Sequence, residues 1–165
     1  MKNNKNSFFA AGLISSGLFL GGCTPKENYT PIEKTLYSIL PKEEVVKIIE
    51  TDSERKNKDK TLKDVEIVLN VDTLSKSIAY EKSLEKITNI LAVMDTVLEG
   101  EINNYVFKVN SSNIDVYGNK QKVKVIEVSI DKDTVDKINF EHFDYLNLDK
   151  ICKVTKFKYL TEKEK

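Results

Sequence analysis

One histidine, two cysteines and a single arginine, Arg55, are all that 165 residues offer of the side chains on which metal sites, nucleophilic catalysis and nucleic-acid readout most often depend. His142 alone cannot build a multi-histidine zinc site or a histidine pair within one chain. With arginine nearly absent, bidentate recognition of phosphates or base edges lacks its preferred donor. Lysine and arginine total 26, as do aspartate and glutamate. That balance gives no electrostatic reason to seek nucleic acid or an acidic polymer, so no nucleic-acid partner is expected. Gly100 and Gly118 stand alone, which removes a glycine-rich phosphate loop, and no G-x-S-x-G elbow occurs. No cofactor and no metal site are expected on this inventory. Lysine, asparagine and isoleucine, by contrast, are frequent. Their codons are rich in A and T, as in an AT-rich bacterial genome.

The run from Phe8 to Leu20 is apolar or small, yet shorter than the about 20 residues that a membrane-crossing helix needs. Lys2 and Lys5 precede it with no acid between, and small residues follow. This is the anatomy of a secretory signal peptide. Such a signal has no need of a cysteine, but here Leu20-Gly21-Gly22 leads straight into Cys23. The tetrapeptide resembles the lipobox of bacterial lipoproteins, and the resemblance covers residues 1 to 23. It implies that the Cys23 thiol receives a diacylglycerol and that the peptide is cut just before it. The residue types suit that chemistry. Glycines leave the backbone open to an enzyme groove, and a thiolate is a strong nucleophile toward a lipid donor. Two acyl chains then hold the protein, since each buried methylene contributes roughly 0.8 kcal/mol and one chain is marginal.

On this reading residues 1–22 are the signal peptide and 23–30 the lipidated cysteine with a polar tether. Residues 31–160 form one domain, and 161–165 are a polar tail. The location is the cell membrane, lipid-anchored on its extracytoplasmic face. Cys152 is then the remaining thiol; it has no intramolecular disulfide partner, and Ile151 beside it suggests a half-buried, inert position.

Along the domain, Thr30-Pro31-Ile32-Glu33 has the form of a capping box with proline at the first helical position. Ile32, Leu36 and Ile39 follow at helical spacing until Pro41. KEEVVKIIE, 42–50, leans to strand through its β-branched residues. SERKNKDK, 53–60, is a charge run without an apolar anchor and reads as a solvated loop. Val65, Ile67, Leu69 and Val71 alternate as one face of a strand. Residues 74–99 make an amphipathic helix with Leu84, Ile87, Leu91, Met94 and Leu98 inward, widened by Ile90 and Val97 and ended at Gly100. Its mixed-charge outer face suits packing on a sheet more than lying on a membrane. Tyr105, Phe107 and Val109 predict a strand, and Asn113 to Tyr117 a second short one. Gly118-Asn119 suits a hairpin turn. In KVKVIEVSI, 122–130, the apolar residues change face between Val125 and Ile126, which predicts a bulge. DKDTVD, 131–136, lacks the glycine and final glutamate of a calcium loop and is better read as a capped short helix. Ile151 to Leu160 fits period two and period three equally. The fold class expected is α+β: a small antiparallel or mixed sheet packed by one long amphipathic helix, with short flanking helices.

His142 and Cys152 form a conceivable nucleophile pair, and His142 has serines and acids to choose from. Neither sits in a small-residue turn, and His142 lies among aromatics in FEHFDY. Phe140, Phe143, Tyr145, Phe157 and Tyr159 are either a contact surface or the cover of the sheet's open face. Cys23 is the one residue assigned a role, that of lipid attachment. The expectation is a non-enzymatic binding or adaptor domain, held by its diacylglycerol anchor and meeting an envelope protein. An immunity lipoprotein or an inhibitor acting against a toxin or hydrolase, and an enzyme using His142 or Cys152, are the alternatives.

Overall fold

A computed structural model describes residues 28–57, 60–73, 75–98, 101–114 and 117–157. Residues 1–27 lie outside it, so the signal peptide and Cys23 are not among the described residues. The same holds for Gly100, Tyr159 and the polar tail. Within the described residues, no helix is long and apolar enough to cross a membrane.

The chain enters through α1, Pro31–Ile39, with its expected capping box complete. The Thr30 hydroxyl accepts from Glu33 N at 3.2 Å, and the Glu33 carboxylate accepts from Thr30 N at 2.8 Å. A 3-10 turn over Lys42–Glu44 leads into β1, Val45–Asn57, and β2, Lys60–Val71, returns antiparallel to it. The long helix α2, Lys76–Leu98, then crosses to β3, Ile102–Ile114, which lies parallel to β2. β4, Lys120–Asp131, pairs antiparallel with β3. Two four-residue helices follow, α3, Lys132–Val135, and α4, Leu148–Ile151; a 3-10 turn over Tyr145–Asn147 precedes α4. β5, Lys153–Lys156, closes the sheet against β4. The strand order is β1-β2-β3-β4-β5, so the fold is α+β with a mixed sheet.

Register separates the two faces. Ile48, Ile67, Phe107, Val128 and Val154 are opposite one another across all five strands, on the side that meets α2. Leu84, Ile87, Ile90, Leu91 and Met94 of α2 are fully enclosed against that side. One residue on, Ile49, Glu66, Val106, Ser129 and Lys153 form the corresponding row of the open face. The anticipated bulge is there: Ile126 faces Val109 and Lys124 faces Asn110, which leaves Val125 as the extra residue. Val125 and Ile126 are consequently both buried. Gly118 turns the β3–β4 hairpin with φ +85°, a left-handed conformation open to glycine at no steric cost.

Several expectations need correcting. The charge run at 53–60 is not a loop through its described part: β1 continues to Asn57, paired with Lys60, so the run forms the end of a hairpin. The two strands expected around Tyr105 and Asn113 are one, because Ser111 and Ser112 continue the β3 ladder. Val97, placed in the helix's inward stripe, is 57 % exposed. Tyr29, assigned to the tether, packs edge-on against Tyr37 with ring centroids 5.1 Å apart. Phe140, Phe143 and Tyr145 do not cover the open face; they join the core, where the Tyr145–Asn147 turn meets α2.

Candidate functional site: a groove at the carboxyl ends of the parallel strands

Pro41 ends the first helical segment, and its rigid φ sends the chain through the Lys42–Glu44 turn past the end of β2 and the middle of α2. Glu44 there forms an ion pair with Lys86 of α2, whose side chain is 17 % exposed and whose ammonium also reaches the Asn70 carbonyl at 3.4 Å. One lysine thus ties the turn, the helix and β2 together. Next to it, Ser111 Oγ donates to the Thr73 carbonyl at 2.7 Å and pins the ends of the two parallel strands. Asp72 is held below the usual carboxylate range by the Ser112 hydroxyl first and then by Lys120, 3.4 Å away.

Two clefts meet at Glu44, Val71 and Asp72. The first, about 660 Å³, runs between the end of α1 and the outer side of α2; Ile39, Pro41, Ile90 and Val93 give it an apolar floor under Lys82 and Asn89. The second, about 610 Å³, runs toward the β3–β4 hairpin past Ser112, Lys120 and Lys122. Crevices outside the carboxyl ends of parallel strands are where open α/β sheets hold ligands, and each arm falls within the about 300–1,000 Å³ of ligand sites. An apolar first arm beside a polar, charged second arm suits non-covalent recognition.

Sequence reading did not find this groove. Ile39 looked like the third residue of a core stripe, and at 36 % exposure it instead lines the cleft.

The residues that sequence reading did single out lie elsewhere. His142 is exposed, with its amide donating to Asn139 O at 3.0 Å, beside a cleft of about 310 Å³ that Lys137, Phe143 and Ile151 also line. The Cys152 thiol donates to the Leu148 carbonyl at 2.8 Å. Burial first, and Asp149 second, push it up to about 11. No hydrogen bond joins it to His142 among the described residues. A protonated thiol whose hydrogen is engaged by a carbonyl is a poor nucleophile at neutral pH.

In DKDTVD, Asp131 caps α3 by accepting from Thr134 N at 2.8 Å. Asp133 takes a two-bond contact from Arg55 at 2.8 and 3.1 Å, which lowers its pKa, and Asp136 pairs with Lys132 at 2.5 Å. No group of His, Cys, Asp and Glu able to hold a metal occurs among the described residues.

No protein-family model, no curated protein and no solved structure matches the chain.

Proposed function

We propose that the chain is an exported lipoprotein, anchored through Cys23 at the extracytoplasmic face of a bacterial cell membrane. There its domain works as a non-enzymatic adaptor that binds an envelope protein. The anchor reading is supported by Leu20-Gly21-Gly22-Cys23 after a short apolar run with a basic start. The observation that carries the binding reading is the two-armed groove joined at Glu44, Val71 and Asp72. Its arms differ in chemistry, one floored by Ile39 and Val93, the other lined by Ser112, Lys120 and Lys122, so an occupant spanning both is read for apolar and polar positions together. Restriction to a thin layer at the bilayer raises the effective concentration of a weakly bound membrane neighbour, which suits an adaptor.

The test is photocrosslinking in intact cells from a reactive side chain placed at Asn89, which is exposed in the first arm. Thr51, exposed on β1 away from the groove, serves as the control position. The expected outcome is one recurring envelope protein captured from Asn89, absent from Thr51 and absent when Cys23→Ala is used. Capture of nothing above background from Asn89 overturns the adaptor reading. A Cys23→Ala protein that still partitions into detergent overturns the anchor.

A further inference from the structure

The described chain begins with a cluster that the groove does not use. Tyr29 and Tyr37 meet at 62° with centroids 5.1 Å apart, and the Lys42 ammonium lies 4.6 Å from the first ring centroid and 5.4 Å from the second. Lys42 also donates to the Tyr29 hydroxyl. Both tyrosines are half-buried and Lys42 is exposed. The cluster is held to the domain twice over, by the capping box at Thr30 and by Thr30 Oγ1 donating to Glu50 at 2.5 Å. The first residues after the tether are therefore fixed in place on the body.

Resting on the reading that Cys23 carries the lipid, we infer that this Tyr29–Tyr37–Lys42 cluster is the surface by which the domain sits on the headgroup layer of its membrane. Five residues lie between Cys23 and Tyr29, and the six steps reach at most about 22 Å even fully extended. Strands of 13 residues are roughly 43 Å long, so the tether cannot bring every side of the domain to the bilayer. It brings the side bearing Tyr29.

The residue types suit that place. Tyrosine combines an apolar ring with a polar tip and collects at membrane–water boundaries, and lysine reaches its ammonium toward phosphate oxygens while its stem stays on apolar surface. The occupant is the phospholipid headgroup, and the contact orients the domain. The far side is marked by Thr155, exposed on β5 at the opposite edge of the sheet. The cluster, in contrast, adjoins β1, to which Thr30 is tied through Glu50 and into which Lys42 leads at Val45. Four strand spacings separate β1 from β5, about 19 Å.

The chain contains no tryptophan, so one introduced indole reports alone. The experiment uses the full-length lipidated protein in vesicles of phosphatidylcholine and phosphatidylglycerol, with and without brominated acyl chains. Tyr29→Trp is compared with Thr155→Trp, and Tyr37→Trp replaces the former if its circular dichroism shows loss of fold. The expected result is at least about twofold quenching at position 29 or 37 and almost none at 155, because an interfacial ring lies within about 10 Å of the acyl boundary. Protein that floats with the vesicles but shows equal quenching at both places, or none at 29 and 37, overturns the orientation and leaves the anchor standing. Protein that does not float overturns the anchor and the orientation with it.

Discussion

Phe107 and Val106 are neighbours in β3, yet Phe107 is fully enclosed under α2 while Val106 looks onto the open face beside Glu66 and Ser129. The same contrast runs along β2, β3 and β4. The covered side holds its buried polar groups to a few hydroxyls. Ser83 Oγ donates to the Ala79 carbonyl at 2.5 Å, and Thr88, 8 % exposed, has the one buried side-chain oxygen without a partner among the described residues. The open face, in contrast, mixes half-exposed valines with charges, among them Lys108 and Glu66 at 2.6 Å. Two surfaces of one sheet thus draw stability from different sources. One gains it by excluding water, the other by pairing backbone and leaving side chains wet.

The largest expected effect comes from breaking the covered face. Phe107→Ala should cost about 3–5 kcal/mol, whereas Val106→Ala should cost under about 1 kcal/mol, as read by urea unfolding midpoints. Similar losses at both positions would erase the distinction between the faces.

Alkaline pH offers a second way in, through Cys152 at the edge of the core. Its folded pKa of about 11 stands above the ordinary thiol value, so the native state keeps a proton that the unfolded chain gives up. Stability is therefore intact below pH 9 and falls as pH rises toward 11, by on the order of 1–2 kcal/mol. The Tyr80 and Tyr105 hydroxyls, also raised mainly by burial, act in the same sense at higher pH. The difference between the parent and Cys152→Ala across that range isolates the thiol, and parallel curves would refute its contribution.

Thr88→Val, which removes the unpartnered hydroxyl, should raise stability by about 1 kcal/mol. A loss instead would mean that the hydroxyl is satisfied. The smallest effect belongs to the open face. Lys108→Ala should move the unfolding midpoint little, and any shift should shrink in high salt, since exposed pairs are screened.

Legibility followed the same division. Where burial repeats at a fixed period the sequence carried the answer, as in Val65 to Val71, in the Leu84 to Leu98 stripe and in the change of face at Val125. The Thr30 capping box was equally plain, because all of its partners lie within one helical turn. What escaped was structure set by distant partners. The run from Ser53 to Asn57 is strand because Lys56 meets Thr61 and Asn57 meets Lys60, with charges on both sides and little buried area to announce it. Val97 kept the helical spacing but is exposed while Leu98 beside it is buried, so the inward stripe narrows in the last turn of α2. The groove has no local signature at all, since Pro41, Asp72, Lys86 and Lys120 come from four separate stretches of the chain. Arg55 and Asp133, 78 positions apart, could be paired only by the fold.

Strand order and chain order coincide from β1 to β5. A polypeptide delivered N-terminus first can therefore grow its sheet like a row of planks, each new strand laid against the last and none wedged between two already in place. Two of the four junctions are hairpins, which join neighbouring strands through short connections. The slow junction is the parallel one, where α2 must form and fold back before β3 has an edge to meet.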